Sequence, residues 1–547
     1  MSARADADKL RGGYYTSREV AAWLCRWAIR QPSDRVLEPS CGDGAFVLAA
    51  VSQLGELGAA PADIRRNTRG VEIVGAEAQR TRDQLDEVLG GAADIIAHGD
   101  FFEWSAGPTL FDVVIGNPPF IRYQSFPEPC RSRAMSLMSG LGLTPNRLTN
   151  IWVPFVAVSA AALREGGRLA LVLPAELLQV SYASQLRSFL TDRFARINVI
   201  ACNELFFAGA EQEVVLLLAD GALAKPSALN QCRVALTESE SVRDILGQPA
   251  DSVLERASPK TIRHDSEKWL KYFLTAREIE FMREIRSSAV ATTLSSHASV
   301  DVGVVTGKNA FFVLNSEKAK ALRVIEHTIP LVSRSVQLKG ARIDEAEWDA
   351  LSEANDRVHL LHLAPRNGRP LDSDLAAYVE SGVADGFHQG YKCSIRDPWY
   401  AVPSVWAPDA FMFRQIYDFP RLVVNLADAT STDTIHRVRC KYTPEFVVAN
   451  TYSYLTAASA EIEGRSYGGG VLELEPTEAE RLLVPAKLGP TMALSECDRL
   501  IRQGRLQDVL RENDRVLLQG HVGLSASECR MLAGIWQRMA GRRSARR

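Results

Sequence analysis

The sequence predicts an α/β protein, and three observations support this class. Short apolar strand patterns alternate with helical patterns from about residue 35 to about residue 220, a tight glycine-rich turn follows the first strand pattern, and the alternation stops after Gly221. Alternating strands and helices build a mostly parallel sheet that is covered on both faces. We therefore expect a Rossmann-like, mostly parallel seven-stranded sheet, followed by an α+β domain.

The segments that define this fold are short and rich in Val, Ile and Leu. The seven predicted strands are residues 35–38, 68–73, 94–97, 111–115, 168–173, 197–200 and 213–218. Helical patterns lie between them, notably at residues 79–89 and 150–164. A chain of 547 residues is too long for one ordinary core. We place one domain at residues 1–240 and a second at 241–547, with a hairpin at residues 302–313 and helices from about residue 492.

Composition excludes several classes of protein. With 46% hydrophobic and 24% charged residues the chain is typical of a globular protein. Its nine cysteines form no C-x-x-C pair, so we expect neither a zinc site nor a disulfide framework. No apolar run is long enough to cross a membrane, and we expect a cytoplasmic protein. The net charge of -3 requires that any nucleic-acid surface be a local basic patch.

Three predicted strand ends carry residues that suit one cofactor. Ligands of parallel sheets bind beyond the carboxyl ends of the strands. The first end, residues 38–44 (EPSCGDG), places Glu38 where it would repel a pyrophosphate but attract an amine and a sulfonium, as in S-adenosylmethionine. At the second end, Glu72 can accept both ribose hydroxyls and Ile73 can pack on adenine. At the third, Asp100 can accept the adenine amine and Phe101 can pack on its ring. Singly, such an acid is commonly a helix cap, so the prediction depends on their order.

The fourth strand ends in Asn117-Pro-Pro-Phe120, which predicts the reaction. Prolines alone could simply end a strand, but here an amide and an aromatic ring flank them. The lone pair of an adenine amine is delocalised into the ring. The Asn117 side-chain oxygen and the Pro118 carbonyl can accept its two N–H groups and stabilise the positive charge that develops during methyl transfer. Pro119 adds rigidity, Phe120 can stack on the base, and the base must leave the duplex to be reached.

In these motifs the sequence resembles the TaqI-like γ group of adenine-N6 DNA methyltransferases of restriction-modification systems, over about the first 220 residues. The resemblance implies an S-adenosylmethionine-dependent catalytic domain. Its implied cofactor-binding residues are Tyr15, Thr16, Glu38, Ser40, Cys41, Gly42, Glu72, Ile73, Asp100, Phe101 and Phe155. It implies that Phe206 stacks on the flipped base, with Phe207 as the alternative. Cys41 stands where many methyltransferases have glycine, and Phe120 where tyrosine is commoner.

The resemblance also implies that the second domain recognises double-stranded DNA. The residues that could contact bases or phosphates are Lys392, Arg396, Trp399, Tyr400, Arg414, Arg421, His436 and Arg437. The alternative is that they are loop and core residues of a β-rich domain. A separately encoded cognate restriction endonuclease is expected by analogy.

Two other functions remain open at the level of sequence. A protein-glutamine N5 methyltransferase uses the same tetrapeptide, because an amide nitrogen poses the same chemical problem, but such enzymes are usually much shorter. A DNA-binding specificity protein with an inactive cofactor fold is the other, and the intact Asn117 and Glu72 argue against it.

Overall fold

The protein divides into two compact units. The structure, a computed structural model, describes residues 16–91, 94–105, 110–146, 149–202, 204, 213–225, 232–261, 263, 267–363 and 371–545. The first unit ends at Ala276 and the second runs from Arg277 to Ala545. The first unit thus extends beyond residue 240, because residues 233–254 supply it with one more strand and two helices. Tyr15, Phe206 and Phe207 lie outside the described residues.

The first unit alternates helices with strands. Its strands are β1 Val36–Glu38, β2 Thr68–Glu72, β3 Ile96–His98, β4 Phe111–Gly116, β5 Leu163–Pro174, β6 Phe194–Cys202, β7 Val214–Ala222 and β8 Arg233–Ser239. Its helices are α1 Arg18–Ala28, α2 Ala45–Glu56, α3 Pro61–Asn67, α4 Gly75–Leu89, α5 Phe101–Trp104, α6 Cys130–Gly140, α7 Trp152–Ala161, α8 Glu176–Gln179, α9 Ser184–Arg193, α10 Val242–Leu246 and α11 Ala250–Leu254.

The described strands of this unit form an eight-stranded mixed sheet in the order β3-β2-β1-β4-β5-β7-β6-β8. This differs from the predicted seven strands. β7 runs antiparallel to both β5 and β6, while β8 pairs in parallel with β6. β8, Arg233–Ser239, was not predicted from the sequence because its apolar run, Val234 to Leu236, is only three residues long and lies among charged residues, although four consecutive residues of the strand are buried. The central strand β4 is buried along its whole length, as expected of a sheet covered on both faces.

The order of the strands brings four strand ends together. β1 pairs in parallel with β2 and with β4, and β2 pairs in parallel with β3. Since neighbouring parallel strands point the same way, the loops after all four strands emerge at one edge of the sheet. The motifs at Glu38, Glu72, Asp100 and Asn117 therefore lie at this edge.

The second unit is built from short strands and peripheral helices. Its strands are β9 Ala291–Thr293, β10 Ala298–Asp301, β11 Val313–Leu314, β12 Thr328–Val332, β13 Arg342–Asp344, β14 His359–Leu361, β15 Ala410–Phe413, β16 Gln415–Ile416, β17 Leu422–Leu426, β18 Thr430–Ser431, β19 Ile435–Cys440, β20 Arg465–Tyr467, β21 Val471–Glu473 and β22 Leu483–Pro485. Its helices are α12 Ala276–Ser287, α13 Asn309–Phe312, α14 Ser316–Ala321, α15 Glu345–Glu353, α16 Ser373–Ala384, α17 Tyr391–Ser394, α18 Pro444–Thr451, α19 Tyr454–Glu463, α20 Pro476–Ala479, α21 Leu494–Arg502, α22 Leu506–Asn513 and α23 Ala526–Ser544.

The larger sheets of this unit have the orders β10-β19-β15-β17-β13 and β11-β14-β12-β18. The hairpin predicted at residues 302–313 is wrong. β10 ends at Asp301, and α13 follows before β11 begins. The reason is burial: Phe311 and Phe312 are both inserted into an apolar cluster, and a helical turn lets consecutive rings reach it. Within the described part of the chain, no helix combines the length and hydropathy needed to span a bilayer.

A buried ion pair fastens the last helix to its unit. Arg543 on α23 and Glu461 on α19 are only 2% and 4% exposed. Arg543 Nη2 donates to Glu461 Oε1 over 2.6 Å, and Arg543 Nη1 donates to the carbonyl oxygens of Tyr417 and Gly470. The buried guanidinium is tolerated because its Nε, Nη1 and Nη2 each donate to an acceptor.

We predict that Arg543→Met lowers the free energy of unfolding of the second unit by about 3–5 kcal/mol, because Glu461 is left charged and unpaired inside the protein. Denaturant melts followed by circular dichroism would measure the loss. In Arg543→Met/Glu461→Met, which removes both charges, most of the stability should return. The exposed pair Arg515–Glu512 is the control, and an Arg515→Met variant should change stability by less than about 1 kcal/mol. Equal losses in the two single variants would contradict the prediction.

Candidate active site

A cavity of about 590 Å³ lies where β1, β2, β3 and β4 end. This volume is in the range of small-molecule binding sites. Among the residues that line it are twelve singled out from the sequence: Thr16, Glu38, Ser40, Cys41, Gly42, Glu72, Ile73, Asp100, Phe101, Asn117, Pro119 and Phe155. The sequence analysis missed Asp43, Glu77, Ile121, Ser125 and Phe126. Asp43 lies inside the glycine-rich turn and was the easiest of these to find.

The glycine-rich turn is fixed by its neighbours. Gly42 and Gly44 have φ values of +48° and +85°, which favour glycine. A Cβ on Gly44 would lie 2.8 Å from Thr81 Cγ2 on α4. Thr81 Oγ1 also donates to the carbonyl of Gly42 over 3.0 Å. Cys41 is buried, and burial raises the pKa of its thiol well above the usual value, so the side chain is a neutral part of the wall.

Glu38 is the most deeply buried acid of the cavity, with 2% of its surface exposed. Its Oε2 has no hydrogen-bond partner within the part of the chain that the structure describes. Burial in the first place, and then the nearby charge of Asp43, raise the pKa of Glu38 well above its usual range. A buried carboxyl oxygen without a partner costs free energy, so Oε2 fits a donor that a ligand brings.

Glu72 closes the turn onto the end of β2. Its Oε2 accepts a hydrogen bond from the backbone N–H of Gly42, and its Oε1 accepts one from that of Val74, both at 2.8 Å. Burial raises the pKa of Glu72. A carboxylate has about four acceptor positions, and the backbone N–H groups around Glu72 do not occupy all of them, so it can still accept from a hydroxyl donor. The next residue, Ile73, is 51% exposed and offers an apolar surface beside these acceptors.

Asp100 begins α5 as its N-cap, with Oδ1 accepting from the N–H of Phe102 over 3.1 Å. Its Oδ2 accepts from Arg133 Nη1 on α6 over 2.8 Å, a contact that sequence spacing could not reveal. Beside it the rings of Phe101 and Phe155 stack, with centroids 5.2 Å apart and planes inclined by 18°. The two buried rings form a flat apolar wall next to a carboxylate.

The tetrapeptide that follows β4 is held by both neighbouring segments. Asn117 Nδ2 donates to Thr16 Oγ1 over 3.2 Å, and Ser40 Oγ donates to the backbone carbonyl of Asn117 over 3.3 Å. Pro118 is buried and Pro119 lines the cavity. Phe120, expected to stack on a base, is partly buried and packs against the apolar core of the first unit.

The basic residues proposed for DNA contact are largely occupied within the second unit. His436 is fully buried and its Nε2 lies 2.6 Å from the carbonyl oxygen of Leu474; burial lowers its pKa. Arg437 is also buried, donates to the carbonyl oxygens of Val302 and Ser404, and has its pKa lowered by burial. This corrects the sequence analysis: both side chains lie inside a β-rich core, which leaves them no surface from which to contact DNA.

The other candidates divide between structural roles and the surface. Arg396 donates to the carbonyl oxygens of Thr306 and Val305, and Trp399 packs on Phe311 with ring centroids 5.0 Å apart. Three more candidates are partly buried. Tyr400 packs against the apolar cluster that contains Phe311 and Phe312. Arg414 pairs with Glu473 and Glu475, and Arg421 lies over the ring of Phe413. Lys392 is exposed on α17.

Comparisons with known proteins define the class. Residues 66–206 match the family model described as Eco57I restriction-modification methylase, and residues 266–518 match that of the C-terminal domain of the Type II methyltransferase M.Eco57I. The chain is therefore a homologue of Type II methyltransferases. Over these two ranges it is similar to the Eco57I-type restriction-modification methylases.

Individual relatives are distant but span most of the chain. The Type II methyltransferase M.AccI of Acinetobacter calcoaceticus is 21% identical over 86% of this chain and 84% of its own length. M.XamI of Xanthomonas campestris pv. amaranthicola is 25% identical over 87% of this chain and 85% of its own length. Among solved structures, that of the Type IIL restriction-modification enzyme MmeI in complex with DNA aligns with 97% of this chain and 72% of that one at a TM-score of 0.53 and 12% identity, a likeness of fold.

We predict that Glu38→Gln raises the melting temperature of the ligand-free first unit at pH 8. The folded-state pKa of Glu38 is raised, so its ionisation opposes folding once the pH exceeds the unfolded value of about 4.3. This penalty grows until the pH passes the folded-state pKa, and glutamine removes it. Scanning calorimetry should show an increase of about 2–4 °C for each kcal/mol gained, and coincident transitions at pH 4. The exposed Glu56→Gln on α2 is the control. A lower melting temperature than that of the unaltered protein at pH 8 would contradict the prediction.

Proposed function

We propose that this chain transfers a methyl group from S-adenosylmethionine to N6 of an adenine flipped out of double-stranded DNA, as the modification enzyme of a restriction-modification system. The observation that carries the proposal is an acidic cavity at four adjacent strand ends, with Asn117 on its wall. The narrower assignment to the TaqI-like γ group rests on motif order, because the second unit, which we propose recognises DNA, follows every proposed catalytic motif.

The chemistry of the cavity fits S-adenosylmethionine. Its described lining contains Glu38, Asp43, Glu72, Glu77 and Asp100, and no Lys, Arg or His. Glu38 and Glu72, which have no basic neighbour in this lining, attract cations, and this cofactor carries an ammonium and a sulfonium. The orphaned Oε2 of Glu38 suits the ammonium, Glu72 the ribose hydroxyls, and Asp100 with Phe101 and Phe155 the adenine. Thr16 and Ser40 join this cavity to the tetrapeptide.

In this assignment the bound cofactor supplies an electrophilic methyl group, and the residues of the chain prepare the base. Asn117 acts through its side-chain oxygen and Pro118 through its backbone carbonyl, each accepting one N–H of the adenine amine. The two acceptors stabilise the positive charge that grows on nitrogen during transfer more strongly than they stabilise the resting amine, which lowers the barrier. Thr16 fixes the orientation of the amide of Asn117 by accepting from its Nδ2.

The proposed target recognition falls to the second unit. Its sequence matches the C-terminal domain of a Type II methyltransferase, and the similar MmeI structure contains DNA. Lys392 remains the surface candidate from the sequence, where a cation can bind phosphate. A separate endonuclease of the same specificity would complete the system, by analogy with relatives.

The direct test is a transfer assay with labelled S-adenosylmethionine. We expect label in unmodified genomic DNA, recovered as N6-methyladenine after digestion to nucleosides. A glutamine-containing protein substrate tests the competing function, and label in the protein but not in DNA would favour it. N4-methylcytosine as the product would contradict the adenine assignment. Absence of label from both substrates would contradict the proposed methyltransferase activity.

We predict that Asn117→Ala lowers turnover by about 10²–10³-fold, because one of the two acceptors in the transition state is lost. Cofactor affinity should stay within about threefold, since Asn117 acts on the base. Asn117→Asp, which keeps the shape and adds a negative charge, should be similarly impaired. Single-turnover rates and calorimetric binding of S-adenosylhomocysteine measure the two effects. Gln79→Ala, which removes an exposed amide on α4 outside the cavity lining, is the control. Full turnover in either Asn117 variant would refute the role of this amide.

A further inference from the structure

A guanidinium group contacts one of the five acids that line the cavity, although no basic residue is part of the lining that the structure describes. Arg133 projects from α6, and its Nη1 lies 2.8 Å from Asp100 Oδ2 and 3.3 Å from Glu103 Oε2. The side chain of Arg133 is 38% exposed, whereas that of Asp100 is 8% exposed. The hydrogen bond to Asp100 raises the pKa of Arg133 further. The pair therefore lies at the margin of the cavity, with the carboxylate turned inward.

The carboxylate of Asp100 is held by several donors from different elements. Phe102 N–H of α5 donates to Oδ1, and Arg133 of α6 donates to Oδ2. The thiol of Cys130, also on α6, makes a further hydrogen bond to Asp100. These donors fix the plane of the carboxylate, and charge-assisted bonds of this kind are stronger than neutral ones. About one acceptor position remains for a ligand, because a carboxylate can accept about four bonds.

The acids of the cavity consequently differ in what they can bind. Glu38 and Glu72 have pKa values raised by burial, and the cavity lining that the structure describes gives them no basic partner. A cationic ligand group is what stabilises their ionised forms. The charge of Asp100 is partly offset by Arg133, which Asp100 shares with the exposed Glu103, so a second cation gains less there than at Glu38 or Glu72. A neutral N–H donor still gains a full hydrogen bond from Asp100.

We propose that Arg133 is a positioning residue that reserves Asp100 for the amino group of adenine and directs the ammonium of the cofactor to Glu38. The proposal rests on the assignment of the cavity to S-adenosylmethionine. Arg133 acts through Asp100, by holding the plane of its carboxylate and offsetting part of its charge. The pair thereby selects both the base of the cofactor and the direction in which it enters.

The test is the preference for adenine over hypoxanthine, measured in the full-length protein without DNA. Hypoxanthine has a carbonyl in place of the amino group, and a carbonyl cannot donate a hydrogen bond to Asp100. Calorimetry should show that S-adenosylhomocysteine binds at least about tenfold more tightly than its inosine counterpart, the value of one charge-assisted hydrogen bond. Arg133→Met should narrow this ratio by about five- to tenfold, mainly through weaker binding of the adenine ligand. Arg133→Lys, which keeps a cation, should retain most of the preference.

A kinetic readout separates positioning from support of the fold. In Arg133→Met the KM for S-adenosylmethionine should rise while kcat at saturating cofactor stays within about twofold. Arg66→Met is the matched control: Arg66 of α3 pairs with Asp63 on the surface, and neither residue lines the cavity. If Arg133→Met left the ratio of the two ligand affinities unchanged, even with both ligands bound more weakly, the role of Arg133 would be overturned while the proposed function would stand. If the unaltered protein bound neither ligand, the proposed function would fail and this inference with it.

Discussion

The site depends on negative charge that is gathered where four adjacent parallel strands end. The order β3-β2-β1-β4 places Glu38, Glu72 and Asp100 at one edge of the sheet. Burial opposes the ionisation of Glu38 and Glu72. The protein tolerates this cost because the strands themselves are extensively buried; β4, for example, is covered along all six of its residues. Stability supplied by the sheet thus maintains an unfavourable arrangement at its edge, which a cationic ligand makes favourable.

The side-chain amide of Asn117 and the cavity are held by the same residues. Asn117 is held by Thr16, which precedes α1, and by Ser40 in the glycine-rich turn. The preceding residue, Gly116, has a φ of +147°, and a Cβ there would lie 3.4 Å from Glu38 Cγ. The position of the amide is therefore set by the segments that line the cavity. This coupling suits the proposed reaction, in which the base and the methyl donor would have to be aligned within a fraction of an ångström.

The sequence could predict those parts of the structure that depend on local patterns. Strand ends followed by acids or by Asn117 were recognisable because apolar runs report burial and turn residues report where burial stops. β8 was missed because its apolar run is only three residues long and lies among charged residues. The turn of α13 was missed because Phe311 and Phe312 resemble a strand until their shared apolar cluster is known. Arg133 was missed because its partner Asp100 is distant in sequence, and a pairing across helices leaves no periodic signal.

The second unit shows where residue type alone misleads. A stretch rich in Arg, His and aromatic rings suggests a nucleic-acid surface, but the same groups can satisfy a β-rich interior. Arg437 donates to backbone carbonyl oxygens and lies over Trp406, and His436 lies against a carbonyl oxygen. A buried guanidinium that already has partners would have to break them before it could contact a phosphate, and the lost bonds would offset the gain. In the proposed function, contacts to DNA from this unit would come from exposed cations such as Lys392 on α17, whose loss costs the fold little.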